Sequence, residues 1–281
     1  MGSVEMSTSV RHAGTVALVV DGISKAFGQG PGAHSVLRDL SLRVEPGEFV
    51  CIVGPSGVGK TTLLRCLSGL LRPTSGSVRL GDTEVSEPRA EIAVVFQDYR
   101  GSLMPWMRVR ENVAFPLEGM GVKRAERRDR AEQSLAAVGL PEVGDQYPWQ
   151  LSGGMQQRVA IARGLAYNAP ILLMDEPFGS VDAQARFELE DLVLALRRQL
   201  GISVVLVTHD IDEAVYLGDR VIVLAGKPAA VVDNLEIDLG VERDQFSTRG
   251  DRRFATLRSR VFSEVCGVAA QQPAGRGEER A

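Results

Sequence analysis

Residues 54–61, Gly-Pro-Ser-Gly-Val-Gly-Lys-Thr, leave this chain little freedom in how it folds. A glycine, four residues and then Gly-Lys-Thr is a phosphate-binding loop pattern, and it works only when a strand leads in and a helix leads out. Both flanks are present: the apolar run Phe49-Val50-Cys51-Ile52-Val53 precedes the loop, and the helix-like Thr62-Leu63-Leu64-Arg65-Cys66-Leu67 follows it. Gly54, Gly57 and Gly59, with Pro55, Ser56 and Val58 between them, let backbone N–H groups close on phosphate oxygens. The helix start adds its positive end through Lys60, Thr61 and Thr62; Lys60 is a mobile cation and the Thr61 hydroxyl is a ligand for Mg²⁺. A merely tight glycine turn needs neither the Lys-Thr pair nor this flanking.

A second glycine-rich string, Leu151-Ser152-Gly153-Gly154-Met155-Gln156-Gln157, also leads into a helix. Alone it reads equally as an N-capped helix with a flexible entry or as an anion site built on first-turn N–H groups and the Ser152 hydroxyl. One nucleotide needs one cradle, so the surplus points to a nucleotide shared between two chains. Ile171-Leu172-Leu173-Met174-Asp175-Glu176-Pro177 then delivers two adjacent carboxylates at a strand end, the edge of an open α/β sheet where ligands bind. In that setting Asp175 holds Mg²⁺, and Glu176 orients and deprotonates the water that attacks a γ-phosphate.

Strand-like runs fall at residues 16–20, 49–53, 92–96, 171–174, 203–207 and 220–224, and the buried-looking ones are nearly continuous Val, Ile and Leu. Strands of that kind are covered on both faces, which predicts a largely parallel sheet with helices on each side. Between Gln97 and Ala166 the pattern turns helical, with helices near residues 123–138 and 155–165. Residues 183–200 carry one buried stripe, with Asp182 as its N-cap and Gly201 closing it. Asp210-Ile211-Asp212-Glu213 predicts a capping box that starts a helix and holds His209 at a strand end.

A formal charge of −4 gives no basic surplus of the sort a dedicated nucleic-acid binder carries, so no nucleic-acid partner is expected. No stretch reaches about 18 uninterrupted apolar residues, the length of a membrane span. Cys51, Cys66 and Cys266 lack metal-ligand spacing, and the first two read as buried free thiols.

With these motifs in order, the chain resembles the ATP-binding-cassette family from about Ala17 to Gly226. The Walker A motif falls on residues 54–61, the glutamine loop on Val95-Phe96-Gln97-Asp98, the signature on residues 151–157, and Walker B with its glutamate on residues 171–176. The D-loop falls on Gly179-Ser180-Val181-Asp182 and the switch histidine on His209. The resemblance implies an α/β P-loop NTPase with a RecA-like core sheet, an N-terminal antiparallel β subdomain and an inserted helical subdomain. It implies ATP and Mg²⁺, with Gln97 touching the metal and the attacking water, and His209 bonding the γ-phosphate. Ser152, Gly153 and Gly154 would grip the other subunit's nucleotide, and Asp182 would couple the two sites of a homodimer. Phe27 matches the aromatic position that stacks on adenine; a core phenylalanine is the alternative.

The expected layout is a disordered N-terminus at 1–15, the ATPase domain at 16–240 with its helical subdomain at about 98–166, a C-terminal helical extension at 241–270 and a disordered tail at 271–281. Ser102-Leu103-Met104-Pro105-Trp106-Met107, followed by Glu111-Asn112-Val113, reads as a surface for a partner helix or as core. This pattern is similar to ATPase subunits of the nitrate, sulfonate and taurine uptake group, as are residues 252–261. That group implies integral membrane permease subunits as partners, an extracytoplasmic solute-binding protein indirectly, and a peripheral position on the cytoplasmic face of the membrane. A soluble cassette ATPase uncoupled from transport is the alternative, and a regulatory module with a dead site is opposed by intact Lys60, Asp175, Glu176 and His209.

Overall fold

The pleat of three neighbouring strands sorts the interior into two cores. Phe49, Cys51 and Val53 face one side of the main sheet with Leu172, Met174, Val204 and Leu206. Val50 and Ile52 face the other side with Ile171, Leu173, Val205 and Val207. Alternate residues of a strand point to opposite faces, so continuous apolar runs are what a sheet covered on both sides requires.

The computed structural model describes residues 16–270; the disorder expected for 1–15 and 271–281 lies outside the described residues. The chain opens with β1 (Leu18–Phe27), β2 (His34–Val44), β3 (Phe49–Val53), α1 (Lys60–Leu67), β4 (Ser75–Leu80), β5 (Thr83–Glu84) and β6 (Ile92–Val95). Helices α2 (Tyr99–Ser102), α3 (Val109–Gly119), α4 (Arg124–Ala137) and α5 (Gly153–Leu165) follow before β7 (Ile171–Asp175). Then come α6 (Ala183–Leu200), β8 (Ser203–Thr208), α7 (Ile211–Leu217), β9 (Arg220–Ala225), β10 (Ala230–Glu236), α8 (Ser247–Gly250) and α9 (Arg252–Ala270).

The main sheet has the order β10-β9-β3-β8-β7-β6, parallel except for the β9–β10 pair. A four-stranded antiparallel sheet, β2-β1-β4-β5, packs over one face with α1 between, and the helices cover the other. This is the expected α/β architecture with its antiparallel β subdomain.

Several strands lack a continuous apolar run. In β2, Leu40, Leu42 and Val44 are buried while Ser41 and Arg43 are exposed. The first strand also runs on to Phe27, well past the expected 16–20, because its antiparallel partner supports polar residues on the solvent face.

Residues 102–113 divide between the two readings. Leu103, Val109 and Val113 enter the core, whereas Trp106 is 73% exposed. Asn112 is fully buried, and its amide bonds the backbone of Met104, Met107 and Arg108, which holds the turn carrying Trp106. Cys51 and Cys66 are buried free thiols and Cys266 is exposed; burial pushes the Cys66 thiol up to about 11. Among the described residues no helix is long and apolar enough to cross a membrane.

Candidate active site

At Gly54 and Gly59 the loop after β3 has no room for a side chain, because neighbouring strands crowd it. A Cβ on Gly54 would lie 2.4 Å from the Leu224 carbonyl oxygen, and one on Gly59 2.9 Å from Val36 Cγ1. Gly59 also has φ 115°, in the left-handed region, and offers no side-chain cap to α1. The first-turn N–H groups of α1 are thereby left for an anion. Pro55, Ser56 and Gly57 are exposed along the loop. Val58 turns its side chain into the core, and its N–H closes on Pro55 O at 3.2 Å, so it contributes to the loop's shape.

Lys60 is almost wholly buried; its Nζ donates to Gly54 O at 2.9 Å and Pro55 O at 3.3 Å and lies 3.8 Å from Glu176 Oε1. Burial lowers its pKa, and the Glu176 and Asp175 carboxylates oppose that shift. Thr61 Oγ1 donates to Asp175 Oδ1 at 3.3 Å. Burial raises the Asp175 pKa, with the Thr61 bond acting against it.

Glu176 follows β7 in a left-handed conformation, φ 43°, its N–H bonded to Val207 O at 2.8 Å. A non-glycine residue there is strained, and the strain turns the side chain back across the strand ends. Its Oε2 accepts from Gln97 Nε2 at 3.1 Å, and His209 Nδ1 lies 3.1 Å from the same oxygen. The order β3-β8-β7-β6 sets the carboxyl ends of four strands side by side, so the Lys60 loop, His209, Glu176 and Gln97 meet at one edge.

The signature residues form a second group. Ser152 caps α5, its Oγ accepting from Met155 N at 3.3 Å, and the Gln156 amide donates to Pro148 O and Leu151 O. A Cβ on Gly154 would lie 3.2 Å from Ala185 Cβ, so α5 starts against the first turn of α6. Asp182 caps that turn, accepting from Ala185 N at 3.0 Å. Glu176 thus gathers Gln97, His209 and, at ion-pair distance, Lys60, beside a separate Thr61–Asp175 bond, whereas the hydrogen bonds of Ser152 and Asp182 stay on their own helices. Phe27 ends β1 with its ring 45% exposed and the Lys25 ammonium 5.2 Å from its centroid, so the core alternative does not hold.

Two features escaped the sequence reading. Only half of the capping box at 210–213 forms: Asp210 Oδ1 accepts from Glu213 N, but Asp210 N donates to Thr208 Oγ1 and the Glu213 side chain is buried. Arg186 Nη1 also pairs with Asp210 Oδ2 at 3.2 Å, linking the start of α6 to the segment carrying His209. No local spacing signals a pair 24 positions apart.

A crowded glycine loop with a buried lysine, facing a strand-end carboxylate pair, defines a P-loop ATPase site. The ABC transporter family profile matches residues 37–179. The taurine import ATP-binding protein TauB of Chromobacterium violaceum is 44% identical over 268 residues, covering 91% of this chain and 98% of that protein. The nitrate import ATP-binding protein NrtC of Synechococcus elongatus is 41% identical over 89% of this chain, which spans 38% of that longer protein's length. Among solved structures, the dimeric post-hydrolysis state of the ATP-binding cassette MJ0796 bound to ADP and phosphate matches with TM-score 0.69 and 35% identity, over 78% of this chain and 98% of that one. The chain belongs to the ABC transporter family and is an ATP-binding cassette ATPase.

Proposed function

We propose that this chain is the ATP-hydrolysing subunit of a membrane importer for a small anionic solute, of the nitrate, sulfonate or taurine kind. The observation that carries the reading is the convergence of Lys60, Gln97 and His209 on Glu176 beside the Thr61–Asp175 pair. Lys60 trades the carbonyls of Gly54 and Pro55 for phosphate oxygens, and the first-turn N–H groups of α1 hold the remaining negative charge. Glu176 accepts the proton of the attacking water, which Gln97 orients, while His209 donates toward the γ-phosphate. Phe27 offers its exposed face to adenine.

Thr61 and Asp175 supply neighbouring oxygen donors, which suits a hard cation such as Mg²⁺. When bound, Mg²⁺ neutralises phosphate charge and polarises the phosphoryl group.

Ser152, Gly153, Gly154 and Asp182 act in trans, closing on the nucleotide held by the loop of a second copy. The ATPase unit is residues 16–240, with the helical insertion at about 98–166 transmitting between Gln97 and the permease, and 241–270 is a helical extension. Trp106 and Phe115, both exposed on that insertion, support docking against a membrane subunit at the cytoplasmic face. The relatives named for taurine and nitrate import support the solute class.

The chain purified from membranes in mild detergent should carry a polytopic membrane protein with it. The reconstituted complex should hydrolyse ATP faster when a solute-loaded binding protein is added. Co-purification with ribosomes or DNA, or hydrolysis indifferent to the membrane protein, would favour a soluble cassette ATPase instead.

A further inference from the structure

Helices α6 and α7 both begin at the candidate site, α6 at Asp182 and α7 immediately after His209. The Arg186–Asp210 ion pair ties them at that end. Farther back they are tied again by the segment that precedes α9. Gln245 Nε2 donates to Glu190 Oε2 and Asp191 Oδ1, both at 2.9 Å, and to Phe187 O at 3.2 Å, all on α6. Arg249 Nη2 pairs with Glu190 Oε2 at 2.6 Å, while its guanidinium lies 4.8 Å from the Tyr216 ring centroid on α7 and 5.1 Å from Phe187 on α6. The Tyr216 hydroxyl donates to Asp191 Oδ1 at 2.6 Å, and Arg243 Nη1 donates to the Tyr216 and Gly218 carbonyls at the end of α7.

Glu190 is 1% exposed. A buried ion pair costs so much desolvation that apolar side chains would bind two helices together at least as well. What the pair adds is direction, because a planar guanidinium held by a carboxylate and by rings from both helices admits one relative placement. We infer that residues 243–249 brace α6 to α7 as one lever, so that His209 meets the nucleotide of its own site while Asp182 meets that of the facing copy, and that Arg249 is a positioning residue for hydrolysis. Arg249 acts through the helices and touches no nucleotide.

The inference rests on the roles proposed for Asp182 and His209, so His209→Ala is measured beside the brace variants in the full chain. Arg249→Gln should lower kcat about ten-fold with KM for ATP within about two-fold, since small displacements of catalytic groups are costly while the phosphate loop is untouched. Arg249→Lys keeps the charge facing Glu190 but loses the planar fork, so it should recover only a small part of the lost kcat. Tyr216→Phe removes one hydroxyl and covers the case in which Arg249→Gln does not fold; its kcat should fall about two- to three-fold at constant KM. Wild-type kcat in folded Arg249→Gln or Tyr216→Phe, with His209→Ala inactive, overturns the brace alone. A rise in KM matching the loss of kcat also overturns it, because that is general loosening. Wild-type hydrolysis by His209→Ala contradicts the reading of the site itself.

Discussion

The phosphate loop and the signature loop are made of the same part, glycines running into a helix, and use it differently. In the first, Gly59 leaves α1 uncapped, Lys60 is buried against its own loop, and side chains from two further strand ends, Gln97 and His209, close around Glu176. In the second, Ser152 caps its own helix and stays exposed, and Gly154 is pressed against the start of α6. The first half is a prepared binding site with its charges already gathered. The second presents an anion-ready surface with no charge of its own to hold it closed, which fits the proposed use of completing a site on another copy.

The largest expected effect separates binding from hydrolysis within the prepared half. Glu176→Gln keeps the shape of the side chain and removes the base, so hydrolysis should fall at least about 100-fold. ATP binding should persist, and ATP should now hold a dimer visible by size-exclusion chromatography. Near wild-type turnover would remove Glu176 from the base role and make the convergence on it merely structural.

Trp106 sharpens the contrast from the helical side. Trp106→Ala should leave basal hydrolysis within a few-fold while weakening assembly with the membrane subunit by about 2 kcal/mol, the scale of a truncated aromatic anchor. Equal losses in hydrolysis by the isolated chain would mean that this surface serves the catalytic half instead.

A smaller effect concerns Glu213, buried behind the prepared half, where burial, helped by Asp210 and Glu190 and opposed by Thr208 and Arg186, pushes its carboxyl up to about 8. The unfolded chain releases that proton near its ordinary value of 4.5. Between these values the folded state holds a proton that the unfolded state has lost, so this contribution is fully present below about 4.5 and disappears as pH rises through about 8. Urea unfolding at pH 6 and pH 9 should give a decline in the wild type that Glu213→Gln lacks. An equal decline in both proteins would assign the slope to another group.

Much of the prepared half was legible in the sequence because its signals are local. A glycine forced by a neighbouring carbonyl, a lysine six residues on, and two carboxylates at the end of an apolar run each fall within a few positions. The continuous runs of β3, β7 and β8 were legible for the same reason, since both faces are buried. Strand β2 was harder, although Leu40, Leu42 and Val44 alternate with Ser41 and Arg43, because a search for unbroken apolar runs passes over a half-exposed strand. The Arg186–Asp210 and Glu190–Arg249 pairs were not legible at all, since partners 24 and 59 positions apart meet only after the helices dock.

The contrast between the halves is tested most directly by mixing two inactive variants. Lys60→Ala damages the prepared half and Ser152→Arg the opposing half, and each alone should be inactive, with Ser152→Arg still binding ATP. In a mixed dimer one site carries both lesions and the other is assembled from intact halves. Equal mixing should restore about a quarter of wild-type turnover, since half of randomly assorted two-fold dimers are mixed and each has one intact site. A mixture as inactive as its parents, with mixed dimers present, would contradict a nucleotide shared between two copies.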